Sequence, residues 1–237
     1  MDRETVSAIT HGDMPLANPL APRDLDAAIA ELTLPAGATA IDVGCGNGEV
    51  LARVKAAHHC TTMGIEPSER WAEQAHERVD IVHTARFDDI APVEGSWDLV
   101  ICVASSHAFG TWVDGLVGLR RLVKGGGLGL VGEGFWQREP SASYLEALGG
   151  ATADELPDHD GLLDGARAAG WNVVGERVAS ELDWMTYEEA LIANGERHLE
   201  AENAPELRAW VERAKARWEH PGGRDTMGFS LLTLRAA

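Results

Sequence analysis

Between residues 38 and 133, short apolar runs alternate with stretches in which apolar residues recur every three or four positions. ATAIDV (38–43), TTMGIE (61–66), DIVHT (80–84), WDLVICVA (97–104) and GLGLVGE (127–133) carry few charges. That is the pattern of strands covered on both faces. EVLARVKAAHH (49–59), SERWAEQAHERV (68–79) and VDGLVGLRRLVKG (113–125) read as helices, the last closed by its glycines. Strand and helix in strict alternation predict an α/β, doubly wound, mostly parallel sheet.

Ahead of this region, LDAAIAELTL (25–34) predicts an amphipathic helix after the proline-rich PLANPLAP. The last third breaks the rhythm. HDGLLDGARAAG (159–170) predicts a helix, WNVVGERVAS (171–180) a strand and MGFSLLTL (227–234) a final strand. Two helical stretches fall between the last two strands. Thr186 and Glu189 have capping-box spacing for the first. The second starts near Pro205 and sets Leu207, Trp210, Val211, Ala214 and Trp218 on one face. The chain therefore divides into an N-terminal cap and helix (1–37), a core (38–135) and a helical insertion (183–222), all within one domain of 1–237. That length can bury a substantial core.

Charge narrows the partners. Twenty Lys and Arg stand against 38 Asp and Glu, a formal net charge of −18. A field of that sign repels phosphate backbones and anionic lipid, so neither nucleic acid nor a membrane is expected as partner. The three cysteines lack metal or disulfide spacing, the N-terminus lacks a signal pattern, and no apolar stretch approaches 18 residues. A reduced, cytoplasmic protein is the expectation, with a homodimer left open. His58, His59 and Cys60 are adjacent in a helix, where successive side chains point in different directions, so no metal site is expected.

The chemistry begins at IDVGCGNGEV (41–50). Gly44, Gly46 and Gly48 allow a tight turn from strand to helix and close approach of backbone to a ligand. A dinucleotide loop would place its third glycine at residue 49, which is Glu49, and Asp42 adds a second acid just before the loop. Two acids oppose a pyrophosphate and accommodate a cation. The next strand ends at Glu66, where a carboxylate can accept from two ribose hydroxyls.

With this D-x-G-x-G-x-G spacing and its downstream acid, the sequence resembles the class I S-adenosylmethionine-dependent methyltransferases over roughly residues 25–135. The resemblance implies a seven-stranded Rossmann-like sheet whose last strand is antiparallel and preceded by the helical insertion. It also implies S-adenosyl-L-methionine as cofactor. Asp42, Gly44, Cys45, Gly46 and Gly48 would face its methionine part, and Glu66 and Pro67 its ribose. Thr84, Ala85 and Arg86 would lie by the adenine, and Val103 and Ala104 beside the bound molecule. The family usually has Asp-Ala where this chain has Thr84-Ala85; the Ala85 amide is then expected to serve a ring nitrogen, with Asp88 or Asp89 as substitute acids.

ICVASSHAFG (101–110) and LVGEGFWQREP (130–140) end at the same edge of such a sheet, which brings His107 and Glu133 to the methyl group. His11, in the N-terminal segment, is a second candidate base, and Glu133 would orient either one or recognise a donor on the substrate. The competing reading gives Ser105, Ser106 and His107 a backbone-capping role and pairs Glu133 with an arginine. Phe109, Trp112, Phe135 and Trp136 are expected to wall an acceptor pocket. The function expected is methyl transfer to O, N or S of a small-molecule acceptor. The alternatives are C-methylation of a quinone- or lipid-like precursor, and a non-catalytic S-adenosylmethionine-binding regulatory or interaction protein.

Overall fold

The computed structural model describes residues 1–12 and 14–237. Its strands are β1 (Thr39–Val43), β2 (Thr61–Ile65), β3 (Ile81–His83), β4 (Trp97–Val103), β5 (Val123–Trp136), β6 (Trp171–Val178) and β7 (Met227–Ala236). They form one seven-stranded sheet in the order β3-β2-β1-β4-β5-β7-β6. The first five are mutually parallel, and β7 runs antiparallel to both β5 and β6. The chain works outward from β1 to β3 and then crosses back to β4, so the order reverses between β1 and β4.

The helices are α1 (Arg3–His11), α2 (Pro22–Ala30), α3 (Glu49–His58), α4 (Glu69–Ala75), α5 (Trp112–Leu122), α6 (Ala142–Ala147), α7 (His159–Ala168), α8 (Glu181–Ala201) and α9 (Pro205–Glu219). Alternation along the strands sorts side chains between the two faces. Ala40, Leu99 and Ile101 pack with Leu25 and Ile29 of α2 and Leu51 and Val54 of α3. Ile41, Val100 and Cys102 pack on the other side with Leu116 and Leu119 of α5 and Leu162 of α7. The central strands are buried on both faces for this reason, and their sequences are correspondingly apolar throughout.

Several boundaries differ from the sequence pattern; α2, expected over 25–34, spans Pro22–Ala30. The helix expected to run to the glycines at 125–126 ends at Leu122, and Val123 already opens β5. Val123 pairs with Trp97, so sheet pairing captures the chain before the glycines can close the helix. The first helix of the insertion begins at Glu181. Ser180 accepts from the Asp183 N–H (3.2 Å) and the Asp183 carboxylate accepts from the Ser180 N–H (3.0 Å), a reciprocal cap. Thr186 lies inside this helix, its hydroxyl donating to the Leu182 carbonyl (2.8 Å). The N-terminal segment supplies a further helix, α1, which the patterning did not resolve.

Leu207, Val211, Ala214 and Trp218 of α9 are buried as a stripe, with Trp210 half-buried beside them. Val6 of α1 packs with Ala204, Leu207 and Val211 in a third, small core separate from the two on the sheet. His58 ends α3 with Nε2 2.8 Å from the Ile29 carbonyl, the position of a helix-end tie. Among the described residues, no helix is long and apolar enough to cross a membrane.

Candidate functional site

The loop after β1 is built from left-handed turns. Gly44, Gly46 and Gly48 have φ of 77°, 54° and 79°, values that L side chains seldom adopt. A Cβ on Gly44 would lie 2.4 Å from Cβ of Ser105, so this glycine lets β1 and the end of β4 touch. A Cβ on Gly46 would meet nothing within 4 Å; it would stand in open space. The Gly44 and Cys45 amides both donate to the Ile65 carbonyl, at 2.8 and 3.1 Å. The Cys45 thiol is buried against Gly64, where an added Cβ would lie 2.5 Å from Sγ, and burial pushes its pKa up.

Two carboxylates sit at the ends of β1 and β2. Glu66 Oε2 accepts from the Gly46 N–H and Oε1 from the Ser68 N–H, both at 2.9 Å, which fixes the carboxylate and leaves lone pairs over. Burial raises the Glu66 pKa and the two amide donors oppose that shift. Asp42 is only 2% exposed, and its Oδ1 has no hydrogen-bond partner among the described residues. Burial pushes the Asp42 pKa to about 7, and the negative charge of Glu66 adds to the effect. A buried carboxylate oxygen with nothing to accept from is costly unless a ligand supplies the donor.

Above these groups lies a cavity of about 440 Å³ at the point where the strand order reverses. Of the sequence-predicted residues, Asp42, Gly44, Cys45, Gly46, Glu66, Pro67, Arg86, Val103, Ala104, His107 and His11 all line it. Gly48, Thr84, Ala85 and Glu133 do not. Gly48 serves packing, since a Cβ there would sit 2.9 Å from Val79 and 3.1 Å from Ala75. The Ala85 amide donates to the Glu66 and His83 carbonyls (3.2 and 3.0 Å), so it is already engaged rather than held for a ligand. Of the two substitute acids, Asp88 lines the cavity and Asp89 does not.

Around the end of β4, SSHAF divides between ties to neighbouring loops and the edge of the cavity. The Ser105 hydroxyl donates to the Gly44 or Val103 carbonyl, each 3.2 Å away, and so ties two loops together. Ala104 takes φ 60° to make the turn, a strained value for a residue other than glycine. His107 lies in a short 3₁₀ turn (Ser106–Ala108), exposed and bordering the cavity. Glu133 accepts from the Ser106 hydroxyl and from the Gly134 N–H (2.9 Å), not from an arginine.

The expected aromatic wall is elsewhere. Phe135 and Trp136 are 3% and 7% exposed, Phe135 packed against His159 and the Trp136 indole donating to the Ala153 carbonyl (2.8 Å). The Trp112 indole donates to the Leu162 carbonyl (3.2 Å) in the core. Phe109 stacks on Phe87, with ring centroids 4.4 Å apart. The aromatic residues that line the cavity are Trp71, Phe87 and Tyr187. Sequence reasoning missed Trp71 and Tyr187. Trp71 sits in the first turn of α4, five residues after Glu66, which was a readable signal. Tyr187 comes from α8, and nothing local marks it.

The ceiling of the cavity is formed by Ser7 and His11 of α1, residues 15–18 and Tyr187. His11 Nδ1 is 2.7 Å from the Ser7 carbonyl and Nε2 is 2.9 Å from the Tyr187 hydroxyl. Burial lowers the His11 pKa, partly offset by the Ser7 carbonyl, and burial raises the Tyr187 phenol well above its usual range.

A family model described as a methyltransferase domain matches residues 41–128, the stretch that carries the glycine loop and both carboxylates. Residues 41–128 thus carry a methyltransferase domain, and the glycine loop and the sheet around it have the arrangement of class I S-adenosylmethionine-dependent methyltransferases. The chain is similar over its whole length to YjhP of Escherichia coli (strain K12), at 26% identity over 250 residues with all of both chains covered. The crystal structure of YjhP matches with TM-score 0.88 over 98% of this chain and 99% of that one, at 25% identity. A methyltransferase from Thiobacillus denitrificans in complex with S-adenosyl-L-homocysteine is 27% identical, with TM-score 0.87 and both chains covered completely. Its counterpart from Geobacter sulfurreducens, also in complex with S-adenosyl-L-homocysteine, has the same fold at 24% identity, TM-score 0.87 and 98% coverage of each chain.

Proposed function

We propose that the cavity holds S-adenosylmethionine and that the methyl group passes to a nucleophilic atom of a small-molecule acceptor bound beneath α1 and α8. The observation that carries this reading is Asp42: a buried carboxylate oxygen without a donor, beside a loop whose Gly46 opens onto free space. The ammonium of the methionine part would supply that donor. Glu66 would accept from the ribose hydroxyls through its remaining lone pairs, and Phe87 and Asp88, which line the cavity, would border the adenine. Of the acids lining the cavity, Asp42 suits a cationic group and Glu66 suits hydroxyl donors, while Glu49 is already paired with Arg53 at 2.7 Å. The S-adenosyl-L-homocysteine in the Thiobacillus denitrificans structure supports the same reading.

Bound S-adenosylmethionine supplies an electrophilic methyl on a sulfonium. The protein contributes positioning, by holding the acceptor in line, and exclusion of water by the α1–α8 ceiling. If the attacking atom carries a proton, a base must take it. Two imidazoles border the cavity, His107 and His11.

The test follows methyl label from S-adenosylmethionine into a metabolite extract. Protein-dependent label in the small-molecule fraction is the expected result. Label appearing only in protein, nucleic acid or lipid would contradict a small-molecule acceptor.

A further inference from the structure

We propose that His11 and Tyr187 form a proton-accepting dyad in the ceiling of the cavity, Tyr187 receiving the acceptor's proton while passing its own to His11. The proposal rests on the methyl-transfer reading above. Its warrant is geometric. The two side chains are 176 residues apart in sequence, lie on α1 and α8, and meet at 2.9 Å with both lining the cavity. The Ser7 carbonyl can only accept, so at 2.7 Å from Nδ1 it requires an N–H there. Nε2 of the neutral ring is then an acceptor, and the Tyr187 O–H points its proton at it.

Three further contacts hold this geometry. The His11 ring meets Trp71 edge-on, with centroids 6.2 Å apart. Tyr187 packs edge-on against Trp184 at 6.3 Å. The Asn194 side chain donates to the Thr10 carbonyl at 2.9 Å, fixing the end of α1 against α8. A base oriented by one partner and linked to its substrate by another is the arrangement that proton transfer needs. His107 has no such support: its ring makes no hydrogen bond or ion pair among the described residues, and it is exposed. Burial keeps both members of the dyad uncharged before reaction.

The atoms balance. The acceptor's lone pair forms the new bond to the methyl carbon, and the carbon–sulfur pair stays on sulfur as the thioether. The acceptor proton goes to Tyr187 Oη, the Tyr187 proton to His11 Nε2, and the product is an imidazolium whose Nδ1–H still meets the Ser7 carbonyl.

The test uses the full chain with S-adenosylhomocysteine and diethyl pyrocarbonate as probes. Nitrogen NMR of wild type at pH 7.5 is expected to show His11 protonated on Nδ1 alone. Carbethoxylation of His11, read by peptide mass, is expected to be slow, slower still with S-adenosylhomocysteine, and about fivefold faster in Tyr187→Phe, the size of one freed hydrogen bond. His107 should react alike in both proteins. An imidazolium or an Nε2–H ring in wild type would overturn the proposal, as would equal His11 reactivity in wild type and variant, or no protection by S-adenosylhomocysteine despite measured binding. The NMR result stands alone if Tyr187→Phe does not fold. Failure of S-adenosylhomocysteine to bind at all would instead remove the methyl-transfer reading.

Discussion

A single carboxylate oxygen ties the chemistry to pH. Asp42 has its pKa near 7 because it is buried and faces Glu66. Its folded pKa lies above the unfolded value, so the folded state holds this proton more tightly. From this group, stability of the ligand-free protein falls as pH rises from about 4 to 7. Binding of a cationic ammonium needs the carboxylate form and has the opposite slope. Affinity for S-adenosylmethionine should therefore drop about tenfold from pH 8 to pH 6, and Asp42→Asn should bind weakly with that dependence removed. Calorimetry across pH in both proteins checks this; an equal slope in the variant would locate the titration elsewhere. The glycines separate fold from function in the same way. Gly44→Ala forces a Cβ to 2.4 Å from Ser105 at φ 77° and should cost more than about 2 kcal/mol in denaturant melts. Gly46→Ala has free space, so it should cost about 1 kcal/mol of stability while reducing S-adenosylhomocysteine affinity at least tenfold.

At the scale of elements, the strands were legible because each central strand alternates between two cores, and Val100 or Ile101 has no other use. Helix ends were less so. Thr186 and Glu189 have the spacing of a cap, but Ser180 and Asp183 have it too and precede an additional turn with Arg23 reaching Asp183 at 3.0 Å. Two boxes in tandem cannot be ranked from spacing alone. Ser180→Ala should lower stability by about 1 kcal/mol, measured by urea unfolding, while Thr186→Ala should change it by less than about half that. The cofactor side of the site was readable because a strand–loop–helix unit fixes its residues locally: Asp42, the glycines and Glu66 lie within 25 residues. The ceiling was not. Tyr187 meets His11 only through the tertiary packing of α1 against α8, elements far apart in sequence. Phe135 and Trp136 misled for the related reason that β5 extends to Trp136, paired with Met227, and carries its aromatic end into the core.

The molecule is a sheet with two large cores, a small third core joining α1 to α9, and the glycine-loop cavity at the point where the strand order reverses. The net charge of −18 gives the molecule as a whole a field that favours cationic ligands and disfavours nucleic acid. Retention on immobilised duplex DNA at about 0.15 M salt, where charges more than about 8 Å apart are largely screened, should be absent; retention would point to a basic face that the net charge conceals. The central claim is that the cavity under α1 is the cofactor site, and calorimetric titration with S-adenosylhomocysteine tests it most directly. The account predicts one site per chain in wild type, weakened at least tenfold by Asp42→Asn, with the ligand-free variant melting no lower than wild type. No binding in wild type, or binding that Asp42→Asn leaves unchanged, would contradict it.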